Sequence, residues 1–176
     1  MLMRKICSDE KQKVISFYEK VCRDIGSDHT PYWTVGVYPT YEELEENVAE
    51  GRTYGGFEGE DLVCAAVISR GEDPVYAGHD WNYKTDNDRI GIIHLLATDS
   101  SSRGKGYGKL FLNYLLKEMK DLNMDVCHLD ALADNTGALR FYEKNGFETA
   151  GETIVHYDDL GDVGVYLYEY DLRKEI

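Results

Sequence analysis

The sequence predicts an α/β (α+β) fold of three layers, in which a mixed, mostly antiparallel sheet of about six or seven strands carries helices on both faces. Three observations support this class: helical apolar spacing near the N-terminus, a run of strand-like segments in the middle, and strand–helix alternation in the last third. With 176 residues, 43% of them apolar, the chain is expected to fold as one domain over residues 1–176.

The N-terminal part predicts two helices joined by an aromatic loop. Apolar residues recur at helical spacing over about residues 9–25, and Gly26 ends the pattern. A second, acidic helix is expected between Thr40 and Gly51, because Thr40 and Glu43 have the spacing of a capping box. The loop between the helices carries three aromatic residues that either pack in the core or form a wall of a substrate-binding pocket. They are Tyr32, Trp33 and Tyr38.

The rest of the chain predicts six strands and two helices. The strands are expected at about residues 52–57, 62–69, 90–98, 126–133, 147–156 and 163–172. The helices are expected at about residues 107–122 and 136–145. An additional strand is predicted around residues 75–83. The last strand contains Tyr166, Tyr168 and Tyr170, and we expect it at a sheet edge that a homodimer could bury.

The charge balance excludes several partner classes. Nineteen Lys and Arg against 33 Asp and Glu give a net charge of −14, so nucleic acid and anionic membranes are not expected partners. The chain has neither an apolar run of membrane-spanning length nor a signal peptide, which predicts a cytoplasmic location.

The four cysteines are too widely spaced for a metal or redox pair. They are Cys7, Cys22, Cys64 and Cys127. We expect them to be reduced, with Cys64 and Cys127 as core residues, and we predict no metal site.

A glycine-rich loop, residues 102–109, lies between a predicted strand and a predicted helix. Its amides are expected at the positive end of the helix dipole, and its glycines allow phosphate oxygens to approach the backbone. A Walker loop is excluded because Leu110 follows Gly108-Lys109, and a dinucleotide fingerprint would need glycine in place of Lys109. The loop therefore predicts a phosphate site of another kind.

Two motifs resemble the GCN5-related N-acetyltransferase (GNAT) superfamily. Arg103-x-x-Gly106-x-Gly108 is similar to the phosphate loop of that family, and the strand before it contains Leu96-Ala97-Thr98, where Leu-Ala-Val is common. The segment from Asn135 to Phe147 resembles the second motif, Asn-x-x-Ala-x-x-Phe-Tyr-x-x-x-Gly-Phe. The resemblance is strong over residues 52–156. It departs from the family at Thr98 and at Ser100, where a proline is common.

The resemblance implies direct transfer of an acetyl group from acetyl-CoA to a primary amine. The pyrophosphate would lie on the loop amides, and the pantetheine arm would run beside Leu96 and Thr98 and bond to Asn135. The cofactor-binding residues implied in this way are Leu96, Ala97, Thr98, Arg103, Gly104, Lys105, Gly106, Tyr107, Gly108, Lys109, Asn135, Ala138, Phe141 and Tyr142.

Two catalytic residues also follow from the resemblance. Tyr142 matches the tyrosine that donates a proton to the leaving thiolate, and a strand amide near Leu96 would stabilise the oxyanion. The glutamate that often serves as base is absent, so His94 or a water relay is expected to take the proton of the amine. Structural alternatives remain open: His94 and Tyr142 as packing residues, and Lys105 and Lys109 as solvated cations.

Two functions compete with the enzyme: a non-catalytic domain that binds or senses acyl-CoA, and a scaffold whose acidic face holds a basic partner. The acceptor is a small-molecule amine or a peptide amine. The negative charge of the chain favours a cationic one, which Glu42, Glu43 or Glu46 could attract.

Overall fold

The computed structural model describes residues 1–25, 33–157 and 161–174. Four α-helices occur in these ranges: α1 (Lys11–Ile25), α2 (Tyr41–Ala49), α3 (Tyr107–Asp121) and α4 (Thr136–Lys144). The strands are β1 (Leu2–Lys5), β2 (Thr53–Glu58), β3 (Asp61–Arg70), β4 (Ile90–Thr98), β5 (Val126–Leu132), β6 (Glu148–Tyr157) and β7 (Gly161–Asp171). The Gly26 helix end predicted from the sequence lies outside the described residues.

The strands form one sheet in the order β1-β2-β3-β4-β5-β7-β6. β1 and β2, β2 and β3, β5 and β7, and β6 and β7 pair in antiparallel fashion. β4 and β5 are parallel, with Ile90–Ile92 opposite Val126–His128. The predicted mixed, mostly antiparallel sheet is thus confirmed, with seven strands.

Two compact units divide the chain, and the first contains Met1–Ile68 and His94–Leu115. In this unit the apolar sides of α1 and α2 form a core with β2, β3 and the end of β4. Each helix repeats its apolar residues at helical spacing and so presents them on one side, for example Tyr18 on α1 and Leu44 on α2. On the other face, the ring of Tyr54 on β2 lies 6.3 Å from the ring of Tyr114 on α3. Within this unit, helices therefore cover both faces of the sheet.

The second unit contains Ser69–Ile93 and Leu116–Ile176. Its core joins β5, β6 and β7 to the long segment between β3 and β4, which contributes the buried Tyr76 and Trp81. The side chain of Glu169 on β7 is fully buried and accepts hydrogen bonds from the backbone N–H groups of Asn82 (3.0 Å) and Tyr83 (3.1 Å). A carboxylate thus satisfies donors that have no place in a strand ladder.

The additional strand predicted around residues 75–83 is therefore wrong. Pro74–Tyr76 forms a 3₁₀ turn, and the segment is held by its two buried aromatic side chains and by Glu169 rather than by strand pairing.

The prediction that the last strand is a sheet edge is also wrong. β7 is paired on both sides, with β5 and with β6, so its backbone groups are already satisfied and the edge position belongs to β6.

Two further features complete the fold. β1 was not predicted, and the first helix begins with a 3₁₀ turn at Ser8–Glu10 before α1.

All four cysteines are free, and Cys64 and Cys127 are buried as predicted. Among residues 1–25, 33–157 and 161–174, none of the helices has the length and apolar content that a bilayer crossing requires.

Candidate active site

Two glycines of the loop before α3 adopt a left-handed backbone conformation. Gly104 and Gly106 have φ values of 78° and 77°, in the left-handed region that glycine adopts without a Cβ clash. A Cβ built on either glycine would meet no atom within 4 Å. The first bond of α3 runs from the Leu110 N–H to the Gly106 carbonyl (3.2 Å), so the preceding amides lack a partner in the helix. Open space and backbone donors together fit a phosphate group.

The cations of the loop differ in their surroundings. Arg103 and Lys109 are exposed. Lys105 Nζ lies 3.2 Å from Oε2 of Glu58, and the Tyr107 hydroxyl donates a 2.5 Å hydrogen bond to Oε1 of the same carboxylate. Tyr107 and then Lys105 lower the pKa of Glu58. Lys105 is therefore also exposed, but it has an acidic partner.

A buried carboxylate holds the segment that leads into this loop. Asp99 is only 5% exposed and lies 2.6 Å from Nζ of Lys20 on α1. Its oxygens also accept from the N–H (3.2 Å) and hydroxyl (3.0 Å) of Ser101. Burial raises the pKa of Asp99, but the hydrogen bonds from Lys20 and Ser101 outweigh it and lower the pKa. Ser100 adds a second link to α1 by donating to Asp24 at 2.6 Å.

The end of β4 alternates between core and half-buried positions. Leu95 and Ala97 belong to the core of the first unit, while the side chains of His94, Leu96 and Thr98 are half-buried. Leu95 has a φ of 54°, which is unusual for a residue with a side chain. The Ala97 side chain packs in the core, so its backbone is the part that remains for a cofactor. The role of His94 as a base stays a prediction.

Tyr142 on α4 is a buried phenol in an aromatic cluster of the second unit. It is 9% exposed, and its ring lies 5.6 Å from Phe141, 5.5 Å from Phe147 and 5.9 Å from Tyr168. Burial, and then the negative charge of Asp130, raise the pKa of Tyr142, so the phenol is protonated at neutral pH. None of the hydrogen bonds found among the described residues involves its hydroxyl. The group can therefore donate its proton to a ligand.

Asn135 starts α4 as its N-cap. Its Oδ1 accepts a hydrogen bond from the N–H of Ala138 at 3.1 Å, which explains why an asparagine begins this helix. The cap uses the acceptor atom of the side chain and leaves the Nδ2 donor for another partner. Ala138 and Phe141 are half-buried on the same helix.

The aromatic loop after α1 contributes to the core of the first unit. Trp33 and Tyr38 are half-buried and pack against that core, and the Trp33 ring lies 6.2 Å from the ring of Tyr18. Their role in substrate binding stays a prediction. Tyr32 lies outside the described residues.

The acidic helix α2 borders an open groove of about 680 Å³, lined by Ser8, Lys11, Tyr41, Glu42, Glu45, Glu46 and Ala49. Lys11 Nζ pairs with Glu45 at 2.9 Å. Glu43 instead closes the predicted capping box by accepting from the Thr40 N–H at 2.8 Å. Within the described ranges, no three His, Cys, Asp or Glu side chains are grouped so as to hold a metal ion.

Sequence reasoning missed two polar residues near the site. Tyr18 has the spacing of a core aromatic, and nothing local indicates that its hydroxyl bonds to the Leu95 carbonyl (2.8 Å). Asp99 offers a signal that could have been used, because an aspartate before three serines is a typical helix cap.

Comparisons with known proteins agree with this geometry. The Acetyltransferase (GNAT) family matches residues 18–147. A Drosophila melanogaster protein described as "Probable N-acetyltransferase san" is 27% identical over 115 residues, which are 65% of this chain and 56% of that protein. The chain thus spans just over half the length of this relative.

Solved structures share the fold over nearly the whole chain. A GNAT-family acetyltransferase from Streptococcus agalactiae superposes with a TM-score of 0.80 at 21% identity, covering 99% of this chain and 96% of that one. The ribosomal-protein-S18-alanine N-acetyltransferase of Escherichia coli gives a TM-score of 0.69 at 14% identity, with coverages of 99% and 96%. Since the family match extends through both predicted motifs, the chain belongs to the GNAT family of N-acetyltransferases.

Proposed function

We propose that the protein transfers an acetyl group from acetyl-CoA directly to a primary amine. The observation that carries this proposal is the loop before α3, where two left-handed glycines leave open space beside the first amides of a 15-residue helix. Such a loop suits the pyrophosphate of coenzyme A. Family membership supports an acetyl donor over other phosphate compounds.

The chain would hold the cofactor mainly through its backbone. The amides of residues 104–108 would bind the pyrophosphate, because the Arg103 N–H already donates to the Ser100 carbonyl at 3.2 Å. Leu96 and Thr98 on β4 would pair with the pantetheine arm as with an added strand. Asn135 would donate from Nδ2, the atom that its cap interaction leaves unused. When bound, acetyl-CoA supplies an acetyl group activated as a thioester.

The side chains then account for the proton transfers. His94 or a water relay would first take one proton from the ammonium group, so that the neutral amine can attack the acetyl carbon, and the nitrogen would release a second proton once the carbon–nitrogen bond has formed. A backbone N–H near Leu96 stabilises the negative charge on the carbonyl oxygen. As the carbon–sulfur bond breaks, Tyr142 would give its hydroxyl proton to the sulfur and would be reprotonated by the second proton that the nitrogen releases; the raised pKa ensures that the phenol carries its proton at neutral pH until then.

The acceptor class is an amine that is cationic before it reacts. The net charge of −14 and the groove beside α2 favour such a molecule electrostatically. The Escherichia coli structure is named for an alanine of a ribosomal protein, so peptides with a free amino terminus belong in the first set of acceptors. The single-domain organisation, the cytoplasmic location and homodimerisation remain predictions, and light scattering tests the last of them.

The alternative is a domain that binds acyl-CoA without turnover. The buried, protonated Tyr142 favours the enzyme, because a sensor has no need of a proton donor at that position.

Calorimetric titration with acetyl-CoA tests cofactor binding, on which the whole proposal depends. The wild type should bind, and the Gly106→Trp variant, which fills the space over the loop, should not. Release of free thiol is then measured with spermidine, an aminoglycoside, amino acids, peptides with a free amino terminus and peptides whose only amine is lysine. Binding without thiol release for every acceptor would favour the sensor, and no binding at millimolar cofactor would refute both.

A further inference from the structure

Tyr18 on α1 makes a buried hydrogen bond to the backbone of β4. Its side chain is 0% exposed, and its hydroxyl donates to the carbonyl oxygen of Leu95 at 2.8 Å. The ring is held by edge contacts with Phe17 (5.2 Å) and Trp33 (6.2 Å). The hydroxyl is thus fixed in position by the core around it.

The carbonyl that Tyr18 binds belongs to a residue with an unusual backbone. Leu95 has a φ of 54°, a left-handed conformation that is unfavourable for residues with a Cβ. Its side chain is nevertheless buried in the core of the first unit, with 8% exposed. Conformations of this kind persist where surrounding contacts enforce them, and they are frequent at functional sites.

The peptide group between Leu95 and Leu96 transmits this contact. A trans peptide is planar, so its carbonyl and its N–H point in opposite directions. Among the described residues the only cis peptide is Tyr38–Pro39. Holding the Leu95 carbonyl toward Tyr18 therefore directs the Leu96 N–H away from Tyr18. A hydrogen bond to the carbonyl also polarises the amide and makes its N–H a stronger donor.

We infer that Tyr18 is a positioning residue for acetyl transfer: through the Leu95–Leu96 peptide, its hydroxyl aims and strengthens the Leu96 N–H that stabilises the oxyanion. This inference rests on the proposed function, which places an amide near Leu96 at the reacting carbonyl. It adds a residue of α1 that does not touch the reacting atoms.

The hydroxyl of Tyr18 is suited to a permanent donor role. Burial in the core raises the pKa of Tyr18 well above its ordinary value, so the proton stays on the oxygen throughout the pH range in which the protein is assayed.

The Tyr18→Phe variant removes the hydroxyl and keeps the ring contacts. We expect kcat to fall about tenfold, which is less than the roughly hundredfold loss when an oxyanion donor is removed entirely, because the Leu96 N–H is still present. The calorimetric affinity for acetyl-CoA should stay within about twofold of wild type, since the phosphate loop is unchanged. The assay uses the amine that gives the fastest thiol release among those tested for the proposed function. If none reacts, hydrolysis of acetyl-CoA by water is measured instead.

Val14→Ala is the matched control for lost stability. Val14 is also fully buried on α1 in the same core but has no polar contact with β4. It should lower the melting temperature at unchanged kcat, whereas Tyr18→Phe should lower kcat at an assay temperature where both variants are folded.

A second readout needs no turnover. In ¹⁵N- and ¹³C-labelled protein without cofactor, Tyr18→Phe should shift the carbonyl resonance of Leu95 and the amide proton of Leu96, the latter upfield because the N–H is less polarised. Val14→Ala should leave both shifts close to those of wild type.

The outcomes separate the two proposals. If wild type binds acetyl-CoA and transfers the acetyl group while Tyr18→Phe keeps its kcat or its Leu96 shift, the role of Tyr18 is refuted and the proposed function stands. If kcat falls equally in Val14→Ala, the role is also refuted, since loss of stability explains both. If wild type binds no acetyl-CoA, the proposed function fails and the role of Tyr18 in catalysis fails with it.

Discussion

The glycine loop before α3 and the aromatic cluster around Tyr142 use opposite physical means. The loop is exposed, and its proposed ligand contacts are backbone amides whose directions depend on the left-handed Gly104 and Gly106. Tyr142 is buried among three aromatic rings and offers one side-chain atom. The loop should therefore tolerate changes of its side chains but not an added Cβ. The aromatic cluster should tolerate the loss of the Tyr142 oxygen, whereas catalysis should not.

The largest effect is expected for Tyr142→Phe. The ring and its aromatic contacts remain, so acetyl-CoA affinity and stability should change little, but the proton donor to the sulfur is lost. We expect kcat to fall about a hundredfold or more in a thiol-release assay. A kcat within about threefold of wild type would assign Tyr142 to packing and remove the distinction between the two regions.

The next effect is expected for Gly106→Ala. With φ at 77°, alanine either strains the loop or changes its conformation, and its Cβ occupies the space over the amides. We expect the affinity for acetyl-CoA to fall about tenfold in calorimetry. Gly78→Ala is the control, since Gly78 has a φ of 84° and open space around it but lies outside the loop. It should lose about 1 kcal/mol of stability and no affinity. Equal affinity losses would contradict a phosphate site at residues 103–108.

A smaller effect is expected at Asn135, where two roles can be separated. Asn135→Asp keeps an oxygen to cap α4 and loses the Nδ2 donor, so affinity should fall about fivefold at nearly unchanged stability. Asn135→Ala should lose the same affinity and also about 1 kcal/mol of stability. If Asn135→Asp binds acetyl-CoA like wild type, the residue is a helix cap and not a cofactor ligand.

The smallest effect is expected for Lys20→Met, which removes the partner of Asp99. The pKa of Asp99 is lowered in the folded state, so its contribution to stability is present above its ordinary pKa of 3.8 and is lost as the pH falls through the lower, folded value. Urea denaturation should show a small loss of stability at pH 7 that shrinks toward pH 3. Lys117→Met is the control, because its partner Asp121 is exposed on the same helix. If the difference in stability between wild type and Lys20→Met does not depend on pH, the ion pair of Lys20 with Asp99 is not its source.

Features set by neighbouring residues could be predicted from the sequence. The capping box of α2 is confirmed in both directions, because Thr40 and Glu43 are three residues apart and each satisfies an amide of the other. Gly104 and Gly106 leave the backbone of their loop open, as the glycine-rich sequence between a strand and a helix predicts. In both cases the residues involved are only two or three positions apart, so local composition and spacing decide the structure.

Features that depend on distant partners could not be predicted. Tyr18 and Leu95 are 77 residues apart, and a leucine in an apolar strand gives no sign of a left-handed φ. The segment around residues 75–83 resembles a strand in composition, but two of its backbone N–H groups donate to Glu169, a residue of β7. β1 has only four residues without alternating burial, which is too short for periodicity to detect.

The left-handed Leu95 also constrains how this sequence can vary. Strand propensity would favour valine or isoleucine at position 95, yet a β-branched side chain is the worst choice for a positive φ. Glycine or asparagine would suit the backbone but would leave a hole in the core or place an amide there. In a saturation library selected for folding, leucine and methionine should therefore survive at this position, and isoleucine and valine should be depleted. At ordinary strand sites the preference runs the other way, toward isoleucine and valine. A designer who followed strand propensity alone would choose the residues that this position excludes.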